Sequence, residues 1–255
     1  MTAFVERPDG ARIAFEVAGD PRRPAVMLLG GIGGDAPTWR HVVPLLAIEL
    51  FVVAVDHRGI GRSDAAETTP TIATYADDAV AVLDELRLAA AHVYGHSFGT
   101  LVALELALAH PERVLALVLG AGRPGRAGSV PGRGRAPLGR PWEVLYAPRF
   151  LERCPEVVDA DRRATVRRPD GERRQSEAAK GWTADGLDEI RAPVLIVHGT
   201  EDLVVDVGNA ARLRQRLPGA ELALLEGAGH AYHSEMPERS TEIVLDFLRR
   251  HRSRA

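Results

Sequence analysis

Gly95-His96-Ser97-Phe98-Gly99 stands between two runs of different character. Ala91 to Tyr94 is short and apolar and reads as a strand, whereas Thr100 to His110 places Leu101, Leu104, Ala107 and Leu108 on one helical face before Pro111 stops it. A strand, a G-x-S-x-G turn and a helix in that order are the setting of a nucleophile elbow, so Ser97 is the first candidate for chemistry. The glycines have a mechanical task. A sharp strand-to-helix turn strains the serine backbone and brings neighbouring chains close, so the positions two before and two after it cannot carry bulky side chains.

Outward from this turn the same alternation continues. Ala25 to Leu29, Phe51 to Val55, Val114 to Leu119, Val194 to Val197 and Leu222 to Leu225 are near-continuous apolar runs of the kind buried on both faces, and Ala11 to Val17 alternates like a half-exposed strand. Helical patterns over Thr71 to Leu88, Thr100 to His110, Val207 to Leu217 and Pro237 to about Arg250 separate most of them. The expected fold is α/β, a mostly parallel sheet with helices on both faces. The rhythm fails between Gly122 and Ile190, which divides the chain into a core of residues 1–121, a short lid insertion of 122–190 and a second core part of 191–255.

Gly122 to Pro141 is built almost entirely from Gly, Pro, Arg and Ala and reads as a loop. Its five arginines lack interleaved aromatics, which favours a solvated loop over an RNA-binding segment. Trp142, Tyr146, Phe150 and Leu151 suggest one short amphipathic helix, and Arg162 to Arg174 is too charged to be core. The whole is expected to form a small lid at the carboxyl edge of the sheet.

Composition narrows the function classes. A chain of 255 residues can bury one sizeable core, and a net charge of −3 gives no invitation to nucleic acid. Lys180 is the sole lysine, which argues against Schiff-base chemistry. Cys154 is alone, Met1 to Gly10 lacks an apolar segment, and the greasy stretch Val42 to Val55 is interrupted by Pro44 and Glu49. Cytoplasmic location with no membrane partner is the expectation.

A serine hydroxyl becomes nucleophilic when a histidine takes its proton and a carboxylate orients that histidine. Asp202 follows the run Val194 to Val197 in His198-Gly199-Thr200-Glu201-Asp202, and His230 follows Leu222 to Leu225 in Gly227-Ala228-Gly229-His230. If those two strands are neighbours, loops leaving one edge bring carboxylate and imidazole together. Asp202 is preferred to Glu201 for the G-x-x-D spacing, and His230 to His233 for the glycines before it. His57 and His96 are read as lining the site, and His41, His92, His110 and His251 as surface or helix-end residues.

Acyl transfer puts negative charge on a former carbonyl oxygen, which preorganised N–H donors must meet. Gly30-Gly31-Ile32-Gly33-Gly34 follows the first buried strand, so the backbone N–H groups of Ile32 and Phe98 are the candidate oxyanion hole, the latter at a helix start. The same loop also spells Gly31-x-Gly33-x-x-Ala36 with Asp56 about 20 residues on, the letters of a dinucleotide fingerprint. Pro37 and Pro44 interrupt the helix that would carry a pyrophosphate, and Asp56 begins a polar turn running to Asp64. No H-E-x-x-H and no paired cysteines offer a metal site, so neither metal nor cofactor is expected.

Leu28 to Gly34, Asp56 to Asp64, Gly95 to Gly99, Gly199 to Asp202, and Gly227 to His230 followed by Glu235-Met236-Pro237-Glu238 together resemble the α/β-hydrolase family over essentially the whole chain. Within it the chain is similar to the small carboxylesterase and oxoadipate enol-lactonase-like group, which also includes cofactor-free haloperoxidase or perhydrolase-type enzymes. The resemblance implies a Ser-His-Asp serine hydrolase acting on a small-molecule ester or lactone. Ser97 in the elbow excludes the aspartate-nucleophile branches. Gly30 stands where many relatives have histidine, and the lid reads as shorter than their several-helix cap. Gly31, His96, Trp142, Tyr146 and Phe150 are the expected pocket walls. A non-catalytic small-molecule receptor on the same fold is the rival reading.

Overall fold

The structure, a computed structural model, describes residues 2–65, 68–125, 129–132 and 142–251. Eight strands form one sheet: β1 Thr2–Glu6, β2 Arg12–Ala18, β3 Ala25–Leu29, β4 Phe51–Val55, β5 Ala91–His96, β6 Val114–Gly120, β7 Val194–Gly199 and β8 Glu221–Leu225, in the spatial order β1-β2-β4-β3-β5-β6-β7-β8. β1 and β2 run antiparallel to their neighbours, and every pairing from β4 to β8 is parallel.

Alternation along the strands sends residues to two cores. Met27, Leu29, Val93, Leu117 and Ile196 meet α2 (Ile72–Glu85), α3 (Phe98–Ala109) and α7 (Gly208–Arg216) on one face. Val26, Leu28, Tyr94, Val118 and Val197 meet Trp39, α1 (Val43–Leu46) and the helix Pro237–Arg249 on the other. Chain order reverses about β3, which lies between β4 and β5, so a crevice opens beyond the carboxyl ends of β3 and β5. That crevice is where the glycine loop and Ser97 emerge.

Two expectations need adjusting. β8 is an edge strand with Leu224 half exposed, because nothing pairs with its outer side among the described residues. The segment from 142 to 190 holds three α-helices where one is expected: α4 Pro148–Arg153, α5 Pro155–Ala164 and α6 Pro169–Gly181. Each begins with proline at its first turn, the position where a missing N–H costs nothing. The charged run Arg162 to Arg174 spans parts of α5 and α6. Its side chains mostly face outward, while Gln175, Ala178 and Ala179, further along α6, are buried. Of the Gly122 to Pro141 loop, residues 126–128 and 133–141 lie outside the described residues.

Candidate active site

Ser97 caps α3 with φ 54° and ψ −113°, a conformation costing a non-glycine residue about 1–3 kcal/mol. The surroundings enforce it. Ser97 N–H donates to Gly120 O of β6 at 2.8 Å, while a Cβ on Gly95 would lie 2.2 Å from Gly99 O and one on Gly99 would lie 2.0 Å from Leu29 O. Both elbow glycines are therefore fixed by backbone contact.

Beside the elbow, the loop after β3 comes within touching distance of the nucleophile: a Cβ on Gly31 would stand 3.2 Å from Ser97 Cβ. The loop turns tightly, Gly34 N–H donating to Gly31 O at 3.0 Å with Gly33 at φ 74°. Phe98 is the first residue of α3, where a backbone N–H has no acceptor within its own helix. Ile32 thus lines the crevice, and the Phe98 N–H directly follows Ser97 at the start of α3.

β7 and β8 are parallel neighbours, His198 opposite Leu224, so the loops that follow them leave one edge together. There His230 Nδ1 meets Asp202 Oδ2 at 2.7 Å, both side chains nearly inaccessible. Asp202 Oδ1 accepts the Val204 and Val205 N–H groups at 2.8 and 2.9 Å, and Oδ2 also lies 3.2 Å from His198 Nε2. Burial pushes the Asp202 carboxyl upward, but the His230 charge and the hydrogen bonds from His198 and His230 outweigh it and hold the group below the ordinary aspartate range. Asp202 stays ionised. Glu201, the competing acid, takes no part in the pair with His230.

A cavity of about 260 Å³ lies over these groups and is lined by Ser97, His230, Gly31, Ile32, Trp142 and Tyr146 among others. No direct hydrogen bond joins Ser97 Oγ to His230 Nε2 among the described residues; such contacts are often long until substrate arrives. Phe150, expected in the wall, instead stacks behind Tyr146 with ring centroids 5.7 Å apart. His96 does line the cavity, and its Nε2–H donates to the His230 carbonyl oxygen at 2.9 Å. Burial, then the nearby His233 and His230, depress its basicity well below the ordinary histidine value. His233, buried and brought to about 4, lies against it. Both are neutral at pH 7.

His57 is buried behind the site, Nε2 3.2 Å from Gly30 O, and His92 is fully buried in β5 rather than at the surface. His41 and Tyr146 both engage Asp161 of α5, at 2.8 and 2.6 Å, and Arg40 pairs with the same carboxylate. This network fastens α5 to the loop after β3. Sequence reading misses it because Asp161 sits in a charged run without a motif. Glu235 is also missed as a functional contact, although its motif is visible: Oε1 accepts the N–H groups of Gly229 and Ala147 at 3.0 and 3.1 Å, joining the His230 loop to the start of the cap.

Asp56 turns inward, accepting the Ala36 and Arg62 N–H groups at 2.6 and 2.9 Å, so its carboxylate serves the loop rather than a ribose. Among the described residues no group of three or more His, Cys, Asp or Glu is arranged to hold a metal ion, and no helix is long and apolar enough to cross a membrane.

The strand order, the elbow and the paired loops define an α/β hydrolase, and the chain belongs to that family: the profile of the alpha/beta hydrolase fold matches residues 24–237. Among proteins similar in sequence, one from Caulobacter sp. (strain K31) that carries the provisional name carbamate hydrolase RutD is 33% identical, covering 91% of this chain and 94% of its own. Among solved structures, Est816, described as an N-acyl homoserine lactone degrading enzyme, superposes with a TM-score of 0.83 at 30% identity over 96% of this chain and 100% of its own. A hydrolase from Pseudomonas aeruginosa PA01 gives a TM-score of 0.86 at 27% identity, covering 97% of this chain and 98% of its own.

Proposed function

We propose that the protein is a serine hydrolase that cleaves a carboxylic ester or lactone through an acyl-enzyme. The observation that carries this reading is the buried 2.7 Å contact between Asp202 and His230 at a cavity that Ser97 also lines. Asp202 holds the His230 Nδ1–H, which leaves Nε2 as the free base. Ser97 Oγ gives its proton to Nε2 as it attacks the substrate carbonyl carbon. The oxygen of that carbonyl takes the negative charge and is met by the Ile32 and Phe98 N–H groups. On collapse the bond to the alkoxide breaks, His230 returns the proton to the leaving oxygen, and water then releases the acyl group by the reverse relay.

The cavity supports an uncharged reacting end. Ile32, Pro37, Trp142, Leu145, Val204 and Ala231 supply apolar wall, and its one arginine, Arg167, is engaged by Glu172. Of the five loop arginines that could draw in a carboxylate-bearing substrate, Arg123 is not part of the cavity wall and those at 126, 133, 135 and 140 lie outside the described residues. The lactone named for Est816 and the carbamate named for the Caulobacter relative give two further substrate classes for assay beside simple esters.

Turnover of p-nitrophenyl acetate and butyrate by wild type and Ser97→Ala tests the reading. Loss of the nucleophile is expected to lower kcat by about a millionfold, and a phosphonate ester is expected to add one adduct to wild type and none to the variant. Equal turnover by the two proteins favours the receptor reading instead.

A further inference from the structure

Gln175 joins the cap to the loop that presents the Ile32 N–H. Its side chain is fully buried in the middle of α6, and Oε1 accepts the Gly33 N–H at 2.9 Å. One turn earlier Glu172 covers the same loop, where a Cβ on Gly33 would stand 3.1 Å from Glu172 Cγ. Gly171 lets the helix press on the core, since a Cβ there would lie 2.1 Å from Gly59 O. Beyond Gln175, Ala178, Ala179 and Trp182 enter the core shared with α2 and α3, and the Trp182 indole N–H donates to Glu105 of α3 at 2.7 Å. α6 therefore spans from the glycine loop to the helix that begins beside Ser97.

The loop needs holding. Four of the five residues from Gly30 to Gly34 are glycine, and a turn of that composition exchanges the orientation of its central peptide cheaply because glycine accepts either sign of φ. A buried acceptor for the Gly33 N–H removes that freedom. A second observation points the same way: Gln175 Nε2 is buried and has no hydrogen-bond partner among the described residues. The Gly33 N–H is thus the hydrogen-bond contact that anchors this buried amide among the described residues.

We infer that Gln175 is a positioning residue for acyl transfer, fixing the Gly30–Gly34 loop from the cap so that the Ile32 donor is in place only while α6 is seated. The inference rests on the serine-hydrolase reading above. Gln175→Met keeps the side-chain length and removes the acceptor. It is expected to lower kcat for p-nitrophenyl butyrate by about 10- to 100-fold, with KM changed by less than about threefold. Inhibition by a trifluoromethyl ketone, which forms a tetrahedral adduct with the serine, should weaken by the same factor as kcat. The unfolding temperature should move little, because the substitution abolishes one orphan donor and creates another.

A kcat within about threefold of wild type, or a loss confined to KM, overturns the inference. If the variant does not fold, hydrogen exchange at the Gly33 amide of wild type decides: protection supports the clamp, and exchange at the rate of an open loop refutes it. Failure of the underlying reading looks different, since then Ser97→Ala equals wild type and the ketone binds neither protein covalently.

Discussion

Asp202→Asn tests the proposed orienting role of the carboxylate with almost no change of shape. Asp202 Oδ1 receives two backbone N–H groups and Oδ2 faces two imidazoles, so every neighbour of the wild-type side chain can donate to it. An amide satisfies only half of that ring. With its NH2 toward Val204 and Val205, two backbone donors meet a third. With its NH2 toward the histidines, relief requires His230 to move its proton from Nδ1 to Nε2, the tautomer that cannot accept from Ser97. The second arrangement is the cheaper one, because imidazoles can change tautomer and peptide groups cannot. The wrong tautomer is expected to lower kcat by about 10⁴, or about 5.5 kcal/mol of barrier. His198 donates at 2.9 Å to Val205 O, so it resists the same change and one donor stays opposed. That mismatch costs about 1–3 kcal/mol, and with about 2–4 °C lost per kcal/mol in a chain of this size the unfolding temperature should fall by about 2–12 °C. Steady-state hydrolysis of p-nitrophenyl butyrate, paired with thermal unfolding, reads both quantities. A folded variant with kcat within about tenfold of wild type would falsify the assignment of Asp202.

Gly99→Ala drives a Cβ to 2.0 Å from Leu29 O, so the end of β3 must retreat; urea denaturation should show a loss of at least about 1–3 kcal/mol, and activity should fall with it. Tyr94 and Tyr232 share one buried hydroxyl–hydroxyl bond of 2.8 Å. Either single Phe substitution strands the other hydroxyl at about 1–3 kcal/mol, whereas the double variant should cost less than the sum, and additive values would reject the coupling. Glu235 is raised to about 7 by burial, against the pull of the Ala147 and Gly229 N–H groups. Since the folded protein holds this proton more tightly than the unfolded chain, its contribution is full at acid pH and is lost as pH rises through about 7. Oε1 accepts both N–H groups and Gln preserves that oxygen, so Glu235→Gln should retain activity while flattening the dependence of unfolding temperature on pH between about 4.3 and 7. An unchanged slope excludes Glu235 as its source.

The parts of the fold that were legible are those where one local rule dominates. Apolar runs too short for helices located all the parallel strands, and Pro111 and Pro237 marked the end of one helix and the start of another. The elbow was readable because its two glycines answer to a single geometric demand. β1 was missed: Thr2–Glu6 leaves only Val5 buried, so little periodicity marks it. The helices between residues 142 and 190 are under-read for a related reason. They bury few residues each, and α5 and α6 have mean compositions dominated by charge, so their helicity rests on proline starts and tertiary anchors such as Asp161 and Gln175. The aromatic spacing at Trp142, Tyr146 and Phe150 suggested one continuous helix, but Pro148 starts a new one and turns Phe150 behind Tyr146. In the candidate site, the Asp202 and His230 loops were legible from glycine-flanked spacing, whereas Gln175 carried no motif at all.

If Ser97, Asp202 and His230 act together as proposed, the order in which the sheet is assembled along the chain sets when this protein can act. Ser97 arrives at the end of β5, yet its partners wait for β7 and β8, the last two strands of the sheet. On the proposed triad, a chain emerging from the ribosome displays its alcohol long before anything can activate it, and stays inert until the final strand pairs at the margin. Recovery of turnover during refolding consequently times the docking of the C-terminal quarter, one of the most sequence-distant events in the molecule, rather than the collapse of its centre.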